Sequence, residues 1–354
     1  MESLDEEMPN RSHRFQILSL NGGGIKGVFT AKVLEELEQK YCKDDNSVLD
    51  HFDMICGTSI GGIIALGLAF GQTPSQLLEH LKSRGAEIFP PRSFLHNFVR
   101  RFYAPLYDPA PLRALLEAIF GDATIADLKV PLIIPAINTT TGSPKAFKTS
   151  FLPTFTIDQR FKLVDVALAT SAAPTYFPLH KINGARYADG GLIANSPALM
   201  GVHEAMNCLR VDAKNIHVLS IGTMSSGFSI DQNLSANGGY LINFTKIKSF
   251  KIFNSVYSGL WGGGKNLISL TMSANEAMHN FMCKQIIADR FIEIEAKPNE
   301  QQVRNIDLDK ASIEALEILE SNGTHAASNM MVELDKQKIF NHFGNRTIMD
   351  HREG

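Results

Sequence analysis

Cysteine is scarce in this chain, and so is an excess of charge of either sign. Only four cysteines occur among 354 residues, and none of them forms a Cys-x-x-Cys pair or a zinc-ligand spacing. We therefore predict free thiols and no metal site. The formal net charge is only −3, which leaves no electrostatic footprint for binding DNA or RNA.

Long hydrophobic runs are also lacking. The uncharged stretch Met54–Ser75 is interrupted by glycines, a proline and polar residues, so a buried strand and helix explain it better than a membrane span. The acidic N-terminus has no signal-like apolar segment, and we predict a mobile tail at residues 1–13 and a cytoplasmic location. A hydrophobic content of 44% is enough for an ample core.

What the chain does have is an alternation of strand and helix patterns. Phe15–Leu20 and Phe52–Cys56 are predicted strands, each followed by a helical pattern. This order predicts an α/β protein with a mostly parallel sheet covered on both faces. We predict a catalytic core at residues 14–222 and a helical extension of the same domain at 223–354. The extension is predicted to hold one strand, Arg290–Ile294, and helices at Tyr240–Tyr257, Glu276–Ile287, Ile313–Leu319 and Met330–Phe343.

The second strand runs into the most informative motif, Gly57-x-Ser59-x-Gly61, and a helix pattern begins at Ile60. A strand, a sharp glycine-flanked turn and a helix are the context of a nucleophile elbow. Such a turn lifts the serine hydroxyl above the sheet, beside the positive end of the following helix. The motif therefore predicts Ser59 as a nucleophile, with Gly57 and Gly61 allowing the turn.

Three consecutive glycines follow the first strand. Gly22-x-Gly24-x-x-Gly27 also fits a dinucleotide-binding loop, and acidic residues near the expected offset keep that alternative open. We favour an oxyanion hole, because bare glycine N–H groups allow an acyl oxyanion to approach closely and each contributes about 3 kcal/mol. The predicted oxyanion residues are Gly22, Gly23, Gly24 and Ile25, and we predict no cofactor.

Ser59 needs a proton acceptor. The downstream histidines His203, His217, His279 and His325 do not lie in glycine-flanked loops at strand ends, although a Ser-His-Asp esterase remains an alternative. Asp189 follows a short strand and precedes two glycines, so its carboxylate is expected at the carboxyl edge of the sheet with Ser59. A partly desolvated carboxylate can take the serine proton directly.

These motifs together resemble the patatin-like phospholipase family. The matching segments lie at residues 18–27, 52–62, 169–178 and 189–191, in the family's order, and the resemblance covers roughly residues 14–222. It implies a three-layer αβα fold in one large domain and a Ser59–Asp189 dyad. It also implies calcium-independent hydrolysis of phospholipid or lysophospholipid acyl esters. Lys26 stands where many members carry arginine, and plant patatins share the lysine.

A narrower resemblance, through residues 15–20 and 30–38 and the overall length, is to bacterial antiphage phospholipase effectors that a cyclic nucleotide activates. It implies a nucleotide activator and a membrane substrate at the inner face of the membrane; we also expect a homo-oligomer. A noncatalytic nucleotide-binding α/β module stays open as an alternative function.

Two further segments have patterns of interest. Residues 89–107 place phenylalanines at helical spacing with arginines off that face, which fits either a basic amphipathic membrane element or a core-facing helix. Residues 240–265 combine lysines with aromatic side chains. This composition fits a solvated helix face or a receptor for a phosphate-bearing activator.

Overall fold

A computed structural model describes residues 13–43, 46–91, 104–225, 265–345 and 349. The strands in these ranges are β1 (Phe15–Leu20), β2 (Met54–Gly57), β3 (Leu132–Asn138), β4 (Ser143–Lys148), β5 (His180–Ile182), β6 (Ala185–Asp189), β7 (Ile216–Ile221) and β8 (Phe291–Ile294). The α-helices are α1 (Gly27–Tyr41), α2 (Ile60–Ala69), α3 (Pro74–Ile88), α4 (Ala110–Phe120), α5 (Leu163–Thr170), α6 (Gly191–Ala194), α7 (Ala198–Asn207), α8 (Lys265–Ile287), α9 (Glu300–Asn305) and α10 (Ile313–Lys336).

The eight described strands form one sheet in the order β5-β6-β3-β2-β1-β7-β8, with β4 paired to β3. Strands β3, β2, β1, β7 and β8 run parallel, whereas β4, β5 and β6 add antiparallel pairs at one side. The central strands β1 and β7 are buried along nearly their whole length, as is usual for a parallel sheet with helices on both faces. The predicted mostly parallel sheet is confirmed.

Two cores lie on opposite faces of this sheet, as the alternation along β1 shows. Leu18 and Leu20 pack into the larger core with α1, α2, α3, α4, α5 and α10. Phe15 and Ile17 point the other way, into a core shared with α7 and α8. Side chains of a strand alternate between faces, so one apolar strand serves both layers. The three-layer αβα architecture and the single domain are thereby confirmed.

Local signals explain several helix boundaries. Helix α3 begins at Pro74 because Thr73 and Gln76 form a capping box, in which the Gln76 N–H donates to Thr73 Oγ1 over 3.2 Å. The four cysteines, Cys42, Cys56, Cys208 and Cys283, are unpaired, as the sequence predicts. Of the helices in the described ranges, none combines the length and apolarity that crossing a bilayer requires.

The C-terminal region differs from the sequence-based prediction. The predicted helices Ile313–Leu319 and Met330–Phe343 are one helix, α10, which ends at Lys336. Ser321-Asn322-Gly323 looks like a turn, but Gly323 is a point of close approach to α1, where an added Cβ would lie 2.9 Å from Lys32 Cβ. Helix α8 is also longer than the predicted Glu276–Ile287, and β5 and α9 were not predicted.

Strand β8 lies inside the predicted extension and pairs with β7, so the C-terminal region completes the sheet. The boundary at residues 222 and 223 stays a prediction. The predicted tail at residues 1–13 and the predicted helix Tyr240–Tyr257 fall, apart from His13, outside the described residues. So does most of the predicted amphipathic segment at residues 89–107.

Candidate active site

Ser59 stands on a strained turn between β2 and α2. Its backbone has φ 54° and ψ −123°, a region that residues other than glycine rarely adopt. The flanking glycines are sterically required, because a Cβ on Gly57 would lie 2.3 Å from the Gly61 carbonyl oxygen. A Cβ on Gly61 would in turn lie 2.3 Å from the Leu20 carbonyl oxygen. The turn therefore has the geometry of a nucleophile elbow.

Hydrogen bonds hold this strained turn. The Ser59 N–H donates to Thr170 Oγ1 over 3.0 Å, and the Thr170 hydroxyl donates to the Pro135 carbonyl oxygen over 2.7 Å. The Thr58 hydroxyl donates to the Ala194 carbonyl oxygen over 2.6 Å. The turn is thus tied to β3 through α5 and to the end of α6. Thr170 lies in one of the sequence motifs, but no sequence argument gave it this role.

Strand β3 brings Asp189 to Ser59. Strand β4 pairs along one edge of β3, from Ile133 to Asn138, so β2 and β6 share the other edge. Cys56 of β2 pairs with Ile133, while Asp189, at the end of β6, pairs with Ala136. Because β2 is parallel to β3 and β6 is antiparallel, their C-terminal ends face each other. The two predicted site residues meet in this way, rather than side by side at the ends of parallel strands.

The two side chains are in direct contact. Ser59 Oγ donates to Asp189 Oδ2 over 2.7 Å, and both residues are buried, with Ser59 at 6% and Asp189 at 1% exposure. The Gly191 N–H donates to Asp189 Oδ1 over 2.6 Å. Burial raises the pKa of the Asp189 carboxyl to about 6, and these two hydrogen bonds oppose the rise. A carboxylate with this pKa is a better proton acceptor than an exposed one.

The structure divides the predicted oxyanion loop into occupied and free donors. The Gly22 N–H donates to the Asn195 carbonyl oxygen over 3.0 Å, and the Ile25 N–H donates to the Leu308 carbonyl oxygen over 2.9 Å. These two N–H groups are therefore unavailable to a substrate in this arrangement. Among the described residues, the N–H groups of Gly23 and Gly24 have no backbone acceptor. The oxyanion role of this loop stays a prediction, and the N–H groups of Gly23 and Gly24 are the ones that this arrangement leaves free to serve it.

An apolar pocket opens beside the Ser59–Asp189 pair. Its walls come from α2, α3, α4 and α8, and from the segments after β1, after α3, after α5 and between α9 and α10. The apolar side chains that line it are Ile25, Ile60, Ile63, Leu81, Ile88, Phe89, Leu112, Leu115, Ala173, Tyr176, Phe177, Ile268, Met272 and Leu308. Ile268 and Met272 belong to the predicted C-terminal extension. A pocket of this composition suits an aliphatic chain whose polar end lies at the serine.

Histidines do not complete a triad in the described part of the chain, because no histidine lines this pocket. His279 contacts the Ser196 carbonyl oxygen through Nδ1 at 3.0 Å, and His217 contacts the Asn215 carbonyl oxygen at 3.2 Å. In the same described ranges, no three histidine, cysteine, aspartate or glutamate side chains cluster closely enough to hold a metal ion. The lysine and aromatic cluster at residues 240–265 lies outside those ranges, except for Lys265.

A three-layer α/β fold with a strained serine at a strand-to-helix turn defines the class of acyl hydrolases that use a nucleophile elbow. A family model described as patatin-like phospholipase matches residues 18–202, which is more than half of the chain. The chain belongs to the patatin-like phospholipase family. The predicted lipid acyl hydrolase class is confirmed.

Similar proteins extend the match beyond the family model. A protein of Escherichia coli named cGAMP-activated phospholipase is 38% identical, over 92% of this chain and 92% of its own length. A protein of Vibrio cholerae with the same name is 36% identical, over 95% of this chain and 96% of its own. Patatin-like protein 2 of Arabidopsis thaliana is 31% identical over 56% of this chain. The bacterial relatives therefore also match the C-terminal region that carries α8 and α10.

Proposed function

We propose that Ser59 and Asp189 form a catalytic dyad that hydrolyses acyl esters of phospholipids or lysophospholipids. The observation that carries this proposal is the 2.7 Å hydrogen bond from Ser59 Oγ to Asp189 Oδ2 beside an apolar pocket. The raised pKa of Asp189, about 6, suits a group that is ionised at neutral pH yet basic enough to take a proton.

In the proposed reaction, Asp189 takes the Ser59 proton while Ser59 Oγ bonds to the ester carbonyl carbon. The electron pair of the carbonyl moves onto its oxygen, which accepts hydrogen bonds from the N–H groups of Gly23 and Gly24 and faces the N-terminus of α2. When this intermediate collapses, the C–O bond to the alcohol breaks and Asp189 protonates the leaving alkoxide. Water then attacks the acyl-enzyme, Asp189 takes its proton, and the fatty acid leaves as Ser59 is reprotonated.

The pocket supports a lipid as substrate. Its lining is almost entirely aliphatic and aromatic, and the charged Asp189 lies at the serine end. A fatty acyl chain can fill the apolar part while its ester carbonyl reaches Ser59. We propose that the enzyme acts on the inner face of the cytoplasmic membrane, where it binds peripherally.

We further propose that a cyclic nucleotide activates the enzyme during antiphage defence. The support is that relatives matching more than nine-tenths of the chain are named cGAMP-activated phospholipases. Lysines with neighbouring aromatic side chains at residues 240–265 have the chemistry to bind phosphates and stack bases, and we propose this segment as the activator site. A homo-oligomer is part of the same proposal.

One experiment tests these points. Fatty acid release from phospholipid vesicles is measured for the wild type, Ser59→Ala and the control Ser83→Ala, each with and without cGAMP. Ser83 is an exposed serine of α3 and bonds only to carbonyl oxygens of its own helix. We expect release by the wild type and the control, stimulated by cGAMP, and none by Ser59→Ala. Fluorophosphonate labelling should follow the same order.

Near-normal release by Ser59→Ala would overturn the dyad. Full release by the wild type without any nucleotide would overturn the activation proposal and leave the dyad standing.

A further inference from the structure

Helix α8 supplies an asparagine that interrupts the helix following Asp189. In a continuing helix, the Asn195 N–H would donate to the Gly191 carbonyl oxygen four residues earlier. Instead, the Asn195 N–H donates to Asn275 Oδ1 over 2.8 Å, and Asn275 Nδ2 donates to the Gly191 carbonyl oxygen over 2.8 Å. The side-chain amide of Asn275 thus takes both groups that would close the next turn, and α6 ends there.

The next residue of α8 holds the glycine loop. Glu276 is buried, with 9% exposure, and its carboxylate accepts from Asn195 Nδ2 over 2.5 Å and from Asn21 Nδ2 over 3.2 Å. The backbone carbonyl oxygen of the same Asn195 accepts from the Gly22 N–H over 3.0 Å. Glu276 therefore fixes Asn195 and Asn21, and these two residues fix the start of the loop that contains Gly23.

The contacts of Asn275 and of Glu276 lead to the two sides of the proposed active site, which are the Asp189 carboxylate and the glycine loop. On one side, Asn275 holds the Gly191 carbonyl, and the Gly191 N–H donates to Asp189 Oδ1. On the other side, Glu276 reaches the glycine loop through Asn195. Neither α8 residue touches Ser59 or lines the pocket. Their contacts lie behind the loops that carry the base and the oxyanion donors.

We propose that Asn275 and Glu276 are positioning residues, which hold the Asp189 turn and the glycine loop at their working distance around Ser59. This inference rests on the proposed dyad and extends it to the C-terminal region. It makes the orientation of α8 a determinant of turnover. Position 275 requires a side chain that carries both a donor and an acceptor, because the interrupted turn leaves one N–H and one carbonyl oxygen to satisfy.

The side-chain chemistry predicts how variants behave. Asn275→Ala leaves the Asn195 N–H and the Gly191 carbonyl free to bond to each other, which would draw the Asn195 carbonyl away from Gly22. Asn275→Asp keeps the acceptor but places a carboxylate oxygen against the Gly191 carbonyl. Glu276→Gln keeps one oxygen as an acceptor, but its new NH₂ group faces the side-chain NH₂ of either Asn195 or Asn21, which is also a donor. Each change displaces a loop without removing a group that contacts substrate.

The matched control is Asn280→Ala. Asn280 lies on the same helix, is similarly buried, and donates to Glu293 Oε1 over 2.6 Å, on the side of β8. Full-length wild type and variants are assayed on a water-soluble fluorogenic fatty acyl ester with cGAMP present. Active sites are first titrated with a fluorophosphonate, so that turnover is expressed per reactive serine and a loss of folded protein does not count.

We expect kcat per titrated site to fall about 10- to 100-fold in Asn275→Ala, because displacements of about 1 Å cost that much. The kcat per titrated site of Asn275→Asp and of Glu276→Gln should fall by smaller factors, and KM should change little in all three variants. Asn280→Ala should have the kcat and KM of the wild type. If Asn275→Ala does not fold, Asn275→Asp and Glu276→Gln decide the question.

Equal kcat per site in the position-275 and position-276 variants and in Asn280→Ala would overturn the inference. Ester hydrolysis by Ser59→Ala at the wild-type rate, expressed per mole of protein, would instead overturn the proposed dyad, so the two failures are distinguishable.

Discussion

The two sides of the candidate active site are built differently. The serine side is local, because residues 54–61 contain the strand, the turn and the start of the helix that present Ser59. The aspartate side is assembled from distant segments, since Asp189 depends on β3 for its place and on α8 for the turn that follows it. A short motif can encode the first side, whereas the second exists only after the sheet and the C-terminal helices have packed.

The energetic character of the two sides also differs. The serine side stores backbone strain at Ser59, which costs about 1–3 kcal/mol at such a conformation. The aspartate side carries the free-energy cost of removing a carboxylate from water, because Asp189 is almost fully buried and its pKa is raised. Strain and desolvation are both tolerated only because the surrounding packing holds them. The following predictions separate the two, from the largest expected effect to the smallest.

Replacing the proposed base, Asp189, should abolish activity and stabilise the fold. Asp189→Asn is expected to lower turnover at least ~10³-fold, because the two residues of the proposed dyad would act as a unit. Folding raises the pKa of Asp189 from 3.8 to about 6, so its stabilising contribution is fully present only below about pH 3.8 and is lost as the pH rises from there through about 6. Asp189→Asn should therefore have a higher Tm than the wild type at pH 8 and a smaller advantage at pH 5.

The control for this substitution is Asp165→Asn. His180 holds the pKa of the Asp165 carboxyl below its usual range, so the effect of this change on Tm at pH 8 should have the opposite sign. A lower Tm for Asp189→Asn at pH 8 would contradict the prediction. Thermal unfolding at the two pH values measures both variants.

Crowding the serine turn should cost stability. Gly61→Ala places a Cβ 2.3 Å from the Leu20 carbonyl oxygen, which belongs to the backbone and cannot move away easily. We expect about 3 kcal/mol of destabilisation in urea titrations, within the range for severe core changes. Gly67→Ala, on the same helix, meets only the flexible end of Leu77 and should cost much less. Equal costs for both variants would argue against a backbone clash.

The pH dependence of kcat/KM should reveal the raised pKa of Asp189. The proposed mechanism requires ionised Asp189, so kcat/KM should fall as the pH decreases through about 6 and should be about tenfold below its plateau at pH 5. A water-soluble ester avoids changes in membrane charge. A profile that stays flat down to pH 4.5 would show that the base is an ordinary exposed carboxylate or another group.

The smallest expected effect concerns the support of the serine turn. Thr170→Val removes the oxygen that accepts from the Ser59 N–H and leaves the Pro135 carbonyl oxygen without its donor. We expect about 1–3 kcal/mol of lost stability and a modest loss of turnover. Thr170→Ser keeps the hydroxyl and should stay close to the wild type. The prediction fails if Thr170→Ser and Thr170→Val have the same urea midpoint.

Sequence patterns predicted the parts of this molecule that local physics determines. Strand β1 was predicted at its observed bounds, because Phe15–Leu20 is a run of mostly apolar, β-prone residues that a glycine loop ends. The capping box of Thr73 and Gln76 is likewise a local signal, because the spacing of these two residues is enough to indicate the start of α3. The glycine-flanked serine indicated its own turn, since only one backbone geometry brings those residues so close together.

The remainder depended on tertiary contacts that a single sequence does not contain. Gly323 looks like a helix breaker until α1 is present to pack against it. The occupied N–H groups of Gly22 and Ile25 are satisfied by Asn195 and Leu308, which lie far along the chain. Asn275 was not predicted as a site residue, because an isolated asparagine in a helix carries no signal until its partners on α6 are known.

Strand β3 sets the distance between the strand ends that carry Ser59 and Asp189. Ile134 and Pro135 are the two residues between the position paired with β2 and the position paired with β6. One residue more or fewer at this point would reverse the faces of everything beyond it and move the two facing strand ends by a residue's length. Loops elsewhere can lengthen without such a penalty. The distance between Ser59 Oγ and Asp189 Oδ2 thus depends on the number of residues between two pairing positions on β3, a strand that contributes no reacting group.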